Sequence, residues 1–156
     1  MITATKATTV NSKLALLSYL LGFWATGLAL TQMVSFEDFV VALQDYGVTS
    51  GGGAIILGVV LLALEIGSVP FLLRLSLSPL ARMLSAVSVV LLPVAWTLLT
   101  VAALLGNAHV PNAAYFGHFF ELQVSVIILT LDVVWLAVIG WSFNALGGQK
   151  ALKPKL

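Results

Sequence analysis

Four long apolar stretches constrain this chain more than any other feature. They run from about Leu14 to Val34, Gly53 to Leu73, Met83 to Leu105 and Leu122 to Leu146. Each holds about 20 residues or more, enough at ~1.5 Å per helical residue to cross a hydrocarbon core ~30 Å thick. Lipid offers no hydrogen bonds, so each stretch must satisfy its own backbone and reads as an α-helix. A β-barrel would need short alternating segments, and these runs do not alternate. Composition agrees: 60% of the 156 residues are hydrophobic and 8% are charged, too few charges to cover a soluble domain. Soluble globular, disordered, fibrous and nucleic-acid-binding readings are thereby set aside.

The charges then sort by side. The seven basic residues are Lys6, Lys13, Arg74, Arg82, Lys150, Lys153 and Lys155. They fall in the N-terminal segment, the connection after the second span, or the C-terminal tail. The other two connections hold Glu37, Asp38, Asp45 and Glu121 and no Lys or Arg. The positive-inside rule therefore predicts an all-α, integral membrane four-helix bundle with both termini cytoplasmic, in the cell inner (cytoplasmic) membrane. The chain reads as one transmembrane domain, 1–156, with a mobile basic tail over 147–156. The first stretch, although preceded by two lysines, is read as a retained span. Leu28-Ala29-Leu30-Thr31 is a poor cleavage site for a signal peptide.

The connections carry local signals. Ser35 followed by Asp38 looks like a helix start. Phe36, Phe39, Val40 and Leu43 follow at helical spacing, which predicts a short amphipathic helix at the outer interface. Gly47 and the run Ser50 to Gly53 end it. Ser78-Pro79 suits the start of the third helix. In the second outer connection, Gly106 to Phe120, the aromatics Tyr115, Phe116, Phe119 and Phe120 suit the interfacial belt. So does Trp141, while Trp24, Trp96 and Trp135 are expected to pack in the bundle. Pro93, in mid-span, is expected to shape its helix.

Glu65 and Asp132 are the candidate site. Each lies inside an apolar span, about 12 and about 10 residues from the outer end, which at ~1.5 Å per residue places them at similar depth. An ionised carboxylate costs at least ~2.5 kcal/mol at a span centre, so such groups face the bundle interior and are protonated or paired. No Lys or Arg lies at that depth. The expected partners are Thr26, Ser68, Ser88, Thr97, Thr100, Thr130, Trp96 and Trp135. Two readings stay open here: a proton-accepting or ligand-binding site, and a hydrogen-bonded link between helices.

A second, outer-face polar site groups His109, His118 and Glu121, the last two on one face of a helical turn. Their loose spacing fits interfacial polar residues better than a metal site, and none is expected. With zero cysteines, disulfides, thiolate metal sites and a Cys nucleophile are excluded. No phosphate loop, no His pair placed for haem and no nucleophile elbow occurs. No catalytic residue is therefore named.

Three segments resemble the DoxX-like family, in particular its methylamine-utilisation MauE-type branch of small four-span membrane proteins. They are Phe36 to Gly47, FEDFVVALQDYG; Ala63 to Leu72, ALEIGSVPFL, with Glu65; and Tyr115-Phe116-Gly117 leading to Asp132. The resemblance covers about residues 15 to 146. MauE-type members often carry a Cys-x-Cys-Phe-Gly motif where this chain has Ala113 and Tyr115, so thiol chemistry does not transfer. The resemblance implies a membrane subunit or assembly factor of an oxidoreductase or electron-transfer complex, partnered by the bilayer and by other membrane subunits. A quinone is the candidate cofactor. The alternatives are a quinone- or small-molecule-binding oxidoreductase component that uses Glu65 and Asp132, and a small transporter or proton channel, which the lack of inverted repeats does not favour.

Overall fold

The computed structural model describes residues 12–119 and 122–145. Among them the chain forms five α-helices: α1 (Ser12–Val34), α2 (Phe36–Asp45), α3 (Gly52–Leu72), α4 (Pro79–Leu105) and α5 (Val126–Ala145). All but α2 are long and apolar enough to cross a membrane. The expected helical membrane bundle is thus the fold, with the expected short helix after the first span.

Helix boundaries follow local chemistry. Ser78 caps α4 by accepting the Ala81 N–H at 3.3 Å, and Pro79 opens the helix where no N–H partner is needed. Two prolines lie inside spans. Pro93 is buried and α4 runs on through it. Beside Pro70 in α3, the Ser85 hydroxyl accepts from Phe71 N–H at 2.9 Å and donates to Gly67 C=O at 2.5 Å. A neighbouring helix thereby serves backbone groups that lipid could not satisfy.

Side-chain contacts fix the alternation of the spans. The Ser18 hydroxyl, early in α1, donates to the Leu72 carbonyl at the end of α3. Ser85, early in α4, meets that same end, and Phe71 packs on Phe143 of α5 with ring centroids 5.7 Å apart. The start of α1, the end of α3, the start of α4 and the end of α5 therefore share one end of the bundle. Around the ring the order is α1, α3, α4, α5, with α1 and α5 only lightly in contact. Large apolar side chains such as Phe23, Ile56, Leu98 and Ile127 point outward, where a soluble protein would carry charge and a bilayer accepts hydrocarbon.

The opposite end adds three details. First, α2 is the expected short helix, and it buries its predicted stripe against the bundle. Phe39 and Leu43 are fully buried, touching the Gly58 position of α3, and Phe39 lies against Trp96 of α4. Ser35 stands at the start of α2 but makes no cap. Its hydroxyl donates instead to Thr31 C=O at 2.8 Å.

Second, the last span begins at Val126, not Leu122. The segment before it runs back along the outer connection, with Val124 N–H donating to Val110 C=O at 3.0 Å and Ala113 N–H to Leu122 C=O at 2.6 Å. Third, that connection folds into the bundle as a cap: Val110, Ala113, Ala114 and Tyr115 are buried. Tyr115 is thus a core residue, not a belt residue. Phe119 is exposed as a belt residue would be, and Phe120 lies outside the described residues, as do Lys6 and the tail over 147–156. Trp141 is exposed as well. Trp24, expected in the bundle, is half exposed and packs edge-on against Phe116 of the cap at 5.5 Å.

The cap has its own local logic. Asn112 Oδ1 accepts from Ala114 N–H at 2.9 Å and its Nδ2 donates to Gly117 C=O at 2.7 Å, closing an Asx turn. Gly117 has φ +58°, and an added Cβ would fall 1.7 Å from Ser35 Oγ. Only glycine can hold that conformation this close to the α1–α2 corner.

Candidate functional site

Glu65 and Asp132 both lie inside the bundle, 0% and 2% exposed. Hydrogen bonds involve every span, and the body of Tyr115 links the bonds of one carboxyl to those of the other.

Glu65, on α3, accepts at Oε1 from Gln32 Nε2 of α1 at 3.0 Å. The same nitrogen donates to the Tyr115 carbonyl of the cap at 3.1 Å. The Tyr115 hydroxyl then donates to Asp132 Oδ1 on α5, and Thr100 of α4 donates to Asp132 Oδ2 at 2.7 Å. Trp96 is fully buried beside both Tyr115 and Glu65. Its ring stands 4.5 Å from that of Tyr115, and its indole lies beside the Glu65 carboxyl without completing a hydrogen bond.

The two carboxyls therefore differ. Each oxygen of Asp132 has a hydroxyl donor. Glu65 has a donor on one oxygen only, and Oε2 is left unpartnered among the described residues. Burial first, and then the nearby Asp132, push the phenols of Tyr115 and Tyr46 above the ordinary tyrosine range. Both stay protonated and donate: Tyr115 to Asp132, Tyr46 to the Ala113 carbonyl at 3.0 Å. These two phenols and Gln32 bolt the cap to the bundle.

Of the eight partners expected around the carboxyls, Thr100 bonds one and Trp96 lies against the other. Thr26, Ser88, Thr97 and Thr130 instead return their hydroxyls to the carbonyl four residues earlier in their own helices, a common outcome for hydroxyls within helices. Ser68 donates to the Glu65 backbone carbonyl at 2.7 Å, and Trp135 packs against the apolar core. The sequence reading missed Gln32 and the phenol of Tyr115. Gln32 had a signal of its own, being an amide near the end of an apolar span, where a polar group is costly unless paired. The pairing of Tyr115 had none, because it depends on the fold of the cap.

Of the outer-face group, His109 and His118 are among the described residues. His118 Nδ1 stands 3.2 Å from Asp38 Oδ2, tying the cap to α2 through an exposed pair, and its ring stacks on Phe119 at 4.2 Å. Such exposed pairs contribute about 0–1 kcal/mol. Glu121, and with it the expected turn to His118, lies outside the described residues. His109 is exposed. Among the described residues no three His, Cys, Asp or Glu side chains gather as a metal site would require.

Compared with family models, curated proteins and solved structures, the chain matches none of them. The fold and site define a class on their own terms: an all-helical, four-span bundle with one capped end and a buried carboxyl network.

Proposed function

We propose that this chain is a small accessory or assembly subunit of a membrane oxidoreductase or electron-transfer complex, in the cytoplasmic membrane with both termini inside. One observation carries the accessory role: both intramembrane carboxyls are sealed from the surface, and their bonds join the spans to the cap. A network so enclosed holds a shape for others to pack against. The oxidoreductase setting rests on the resemblance of the segments around Glu65, Tyr115 and Asp132 to DoxX-like proteins, an analogy of family rather than of site. The orientation rests on charge. Lys13, Arg74 and Arg82 lie toward one end of the bundle and Glu37, Asp38 and Asp45 toward the other. Blue-native electrophoresis of gently solubilised native membranes should find the chain in an assembly much larger than its 16.5 kDa. A monomer band alone would overturn the proposal.

A second reading, a site for quinone or another small molecule at the intramembrane carboxyls, is favoured by the unpartnered Oε2 of Glu65. On that reading Glu65→Gln abolishes activity of the host complex while the protein remains folded and assembled. Full activity of that variant removes the reading.

A further inference from the structure

Of the buried side-chain polar atoms with no hydrogen-bond partner among the described residues, three lie on neighbouring side chains: Gln32 Oε1, Glu65 Oε2 and Trp96 Nε1. All three side chains are fully buried. The Gln32 amide is oriented by its two acceptors, Glu65 Oε1 and the Tyr115 carbonyl, so its oxygen can only accept. The indole N–H can only donate. Glu65 Oε2 accepts when ionised and donates when protonated. An unpaired buried polar group destabilises a fold, and a cluster of them in a native fold calls for a bound water, ion or ligand.

We propose that Gln32, Glu65 and Trp96 form a binding site for one small neutral molecule bearing a hydroxyl, either water or a small alcohol. This narrows the second reading above to its small-molecule branch, with no place for an oxidised quinone, and rests on that branch. The ligand class follows from the complement of the three groups. A guest must offer a lone pair to the Trp96 N–H and a hydrogen to Gln32 Oε1. Metal and ammonium cations lack the lone pair, and aprotic carbonyl compounds lack the hydrogen. Water satisfies Glu65 in either protonation state; an alcohol satisfies the protonated acid with its second lone pair. The aromatic surroundings, with Phe39 and Tyr115 centred 6.4 and 4.5 Å from Trp96, suit an uncharged guest. Asp132, with both oxygens paired, has no share in this site. Gln32 holds the cap as well as Glu65, so entry from the outer end requires the cap to loosen.

The test uses the full chain in phospholipid nanodiscs with ¹⁵N-indole-labelled tryptophan, the Trp96 signal being assigned with Trp96→Phe. Nuclear Overhauser transfer to the Trp96 N–H is read from water, and ethanol is then titrated as the probe. Transfer from a long-lived water, or a saturable ethanol shift of Trp96 unlike the responses of the outward-facing Trp24 and Trp141, supports the site. The first identifies water as the guest and the second an alcohol. Glu65→Leu and Gln32→Leu should each remove the water transfer or weaken the ethanol response about tenfold, as expected for a lost hydrogen bond of about 1.4 kcal/mol. Absence of both signals in the wild type overturns the proposal. So does a response unchanged in whichever of the two variants folds. Because occupancy is read directly, that failure is distinct from failure of the second reading, which the activity of Glu65→Gln decides.

Discussion

At Asp132 two hydroxyls, those of Tyr115 and Thr100, meet the two oxygens of one carboxyl across three segments of the chain. Tyr115→Phe keeps the ring against Trp96 but leaves one oxygen bare. The expected loss is about 1–2 kcal/mol, at the upper end of interhelical hydrogen bonds in membranes because the acceptor is a carboxyl. Thr100→Val should cost a similar amount. The double variant should cost more than the sum, since the first change leaves one donor and the second leaves none. Equilibrium unfolding in mixed micelles measures all three, and strict additivity would show that the two donors do not share a role. Glu65 contrasts with Asp132 in having one oxygen free, which is why the two acids, alike in sequence, are assigned different work.

At the scale of elements, the cap, residues 106–119 with 122–125, is as much a part of the bundle as the helices. It is held by Asn112, by the backbone pairing of 110 and 113 with 124 and 122, and by the close seat of Gly117 on Ser35. Gly117→Ala places a Cβ in a left-handed conformation and against the Ser35 hydroxyl at once. The conformation alone costs about 1–2 kcal/mol, so cap opening should become easier by at least that amount. Hydrogen exchange of the amides of Ala113 and Val124 should then accelerate about tenfold or more, while the amides in the middle of α4 keep their protection. Unchanged exchange at Ala113 and Val124 would show that Gly117 does not hold the cap. At the other end of the bundle, Ser78→Ala removes the long 3.3 Å cap bond of α4 and should cost only about 0.5 kcal/mol by the same unfolding measurement.

For the whole molecule, the alternation of spans set by Ser18, Ser85 and Phe143 places residue 48 and residue 76 on opposite faces of the membrane. With no native cysteine, single introductions report cleanly. In intact cells, Val48→Cys should react with a membrane-impermeant maleimide, and Ser76→Cys should react only after permeabilisation. The reverse pattern would invert the orientation inferred from the basic residues. The lipid-facing exterior and the enclosed polar interior reverse the usual arrangement of a soluble domain. The inward carboxyls are tolerated because neutral donors meet three of their four oxygens, without any basic residue at that depth.

Much of this was legible in the chain itself. Span number, the short helix after the first span and the start of α4 at Ser78-Pro79 follow from apolar run length, helical spacing and turn chemistry, all of which act over a few residues. The burial of Glu65 and Asp132 was legible for the same reason, since an acid in an apolar span has only the bundle interior to face. What tertiary structure decided was pairing: that Gln32 reaches Glu65, that Tyr115 leaves the interface for Asp132, that His118 meets Asp38, and that residues 122–124 pair with the cap instead of extending the last helix. Each of these joins residues that the fold alone brings near, and composition and periodicity carry no signal for the path of an irregular loop. The sequence by itself determined that two carboxyls must be buried. Only the packing of the cap left one of them satisfied and the other with an oxygen to offer.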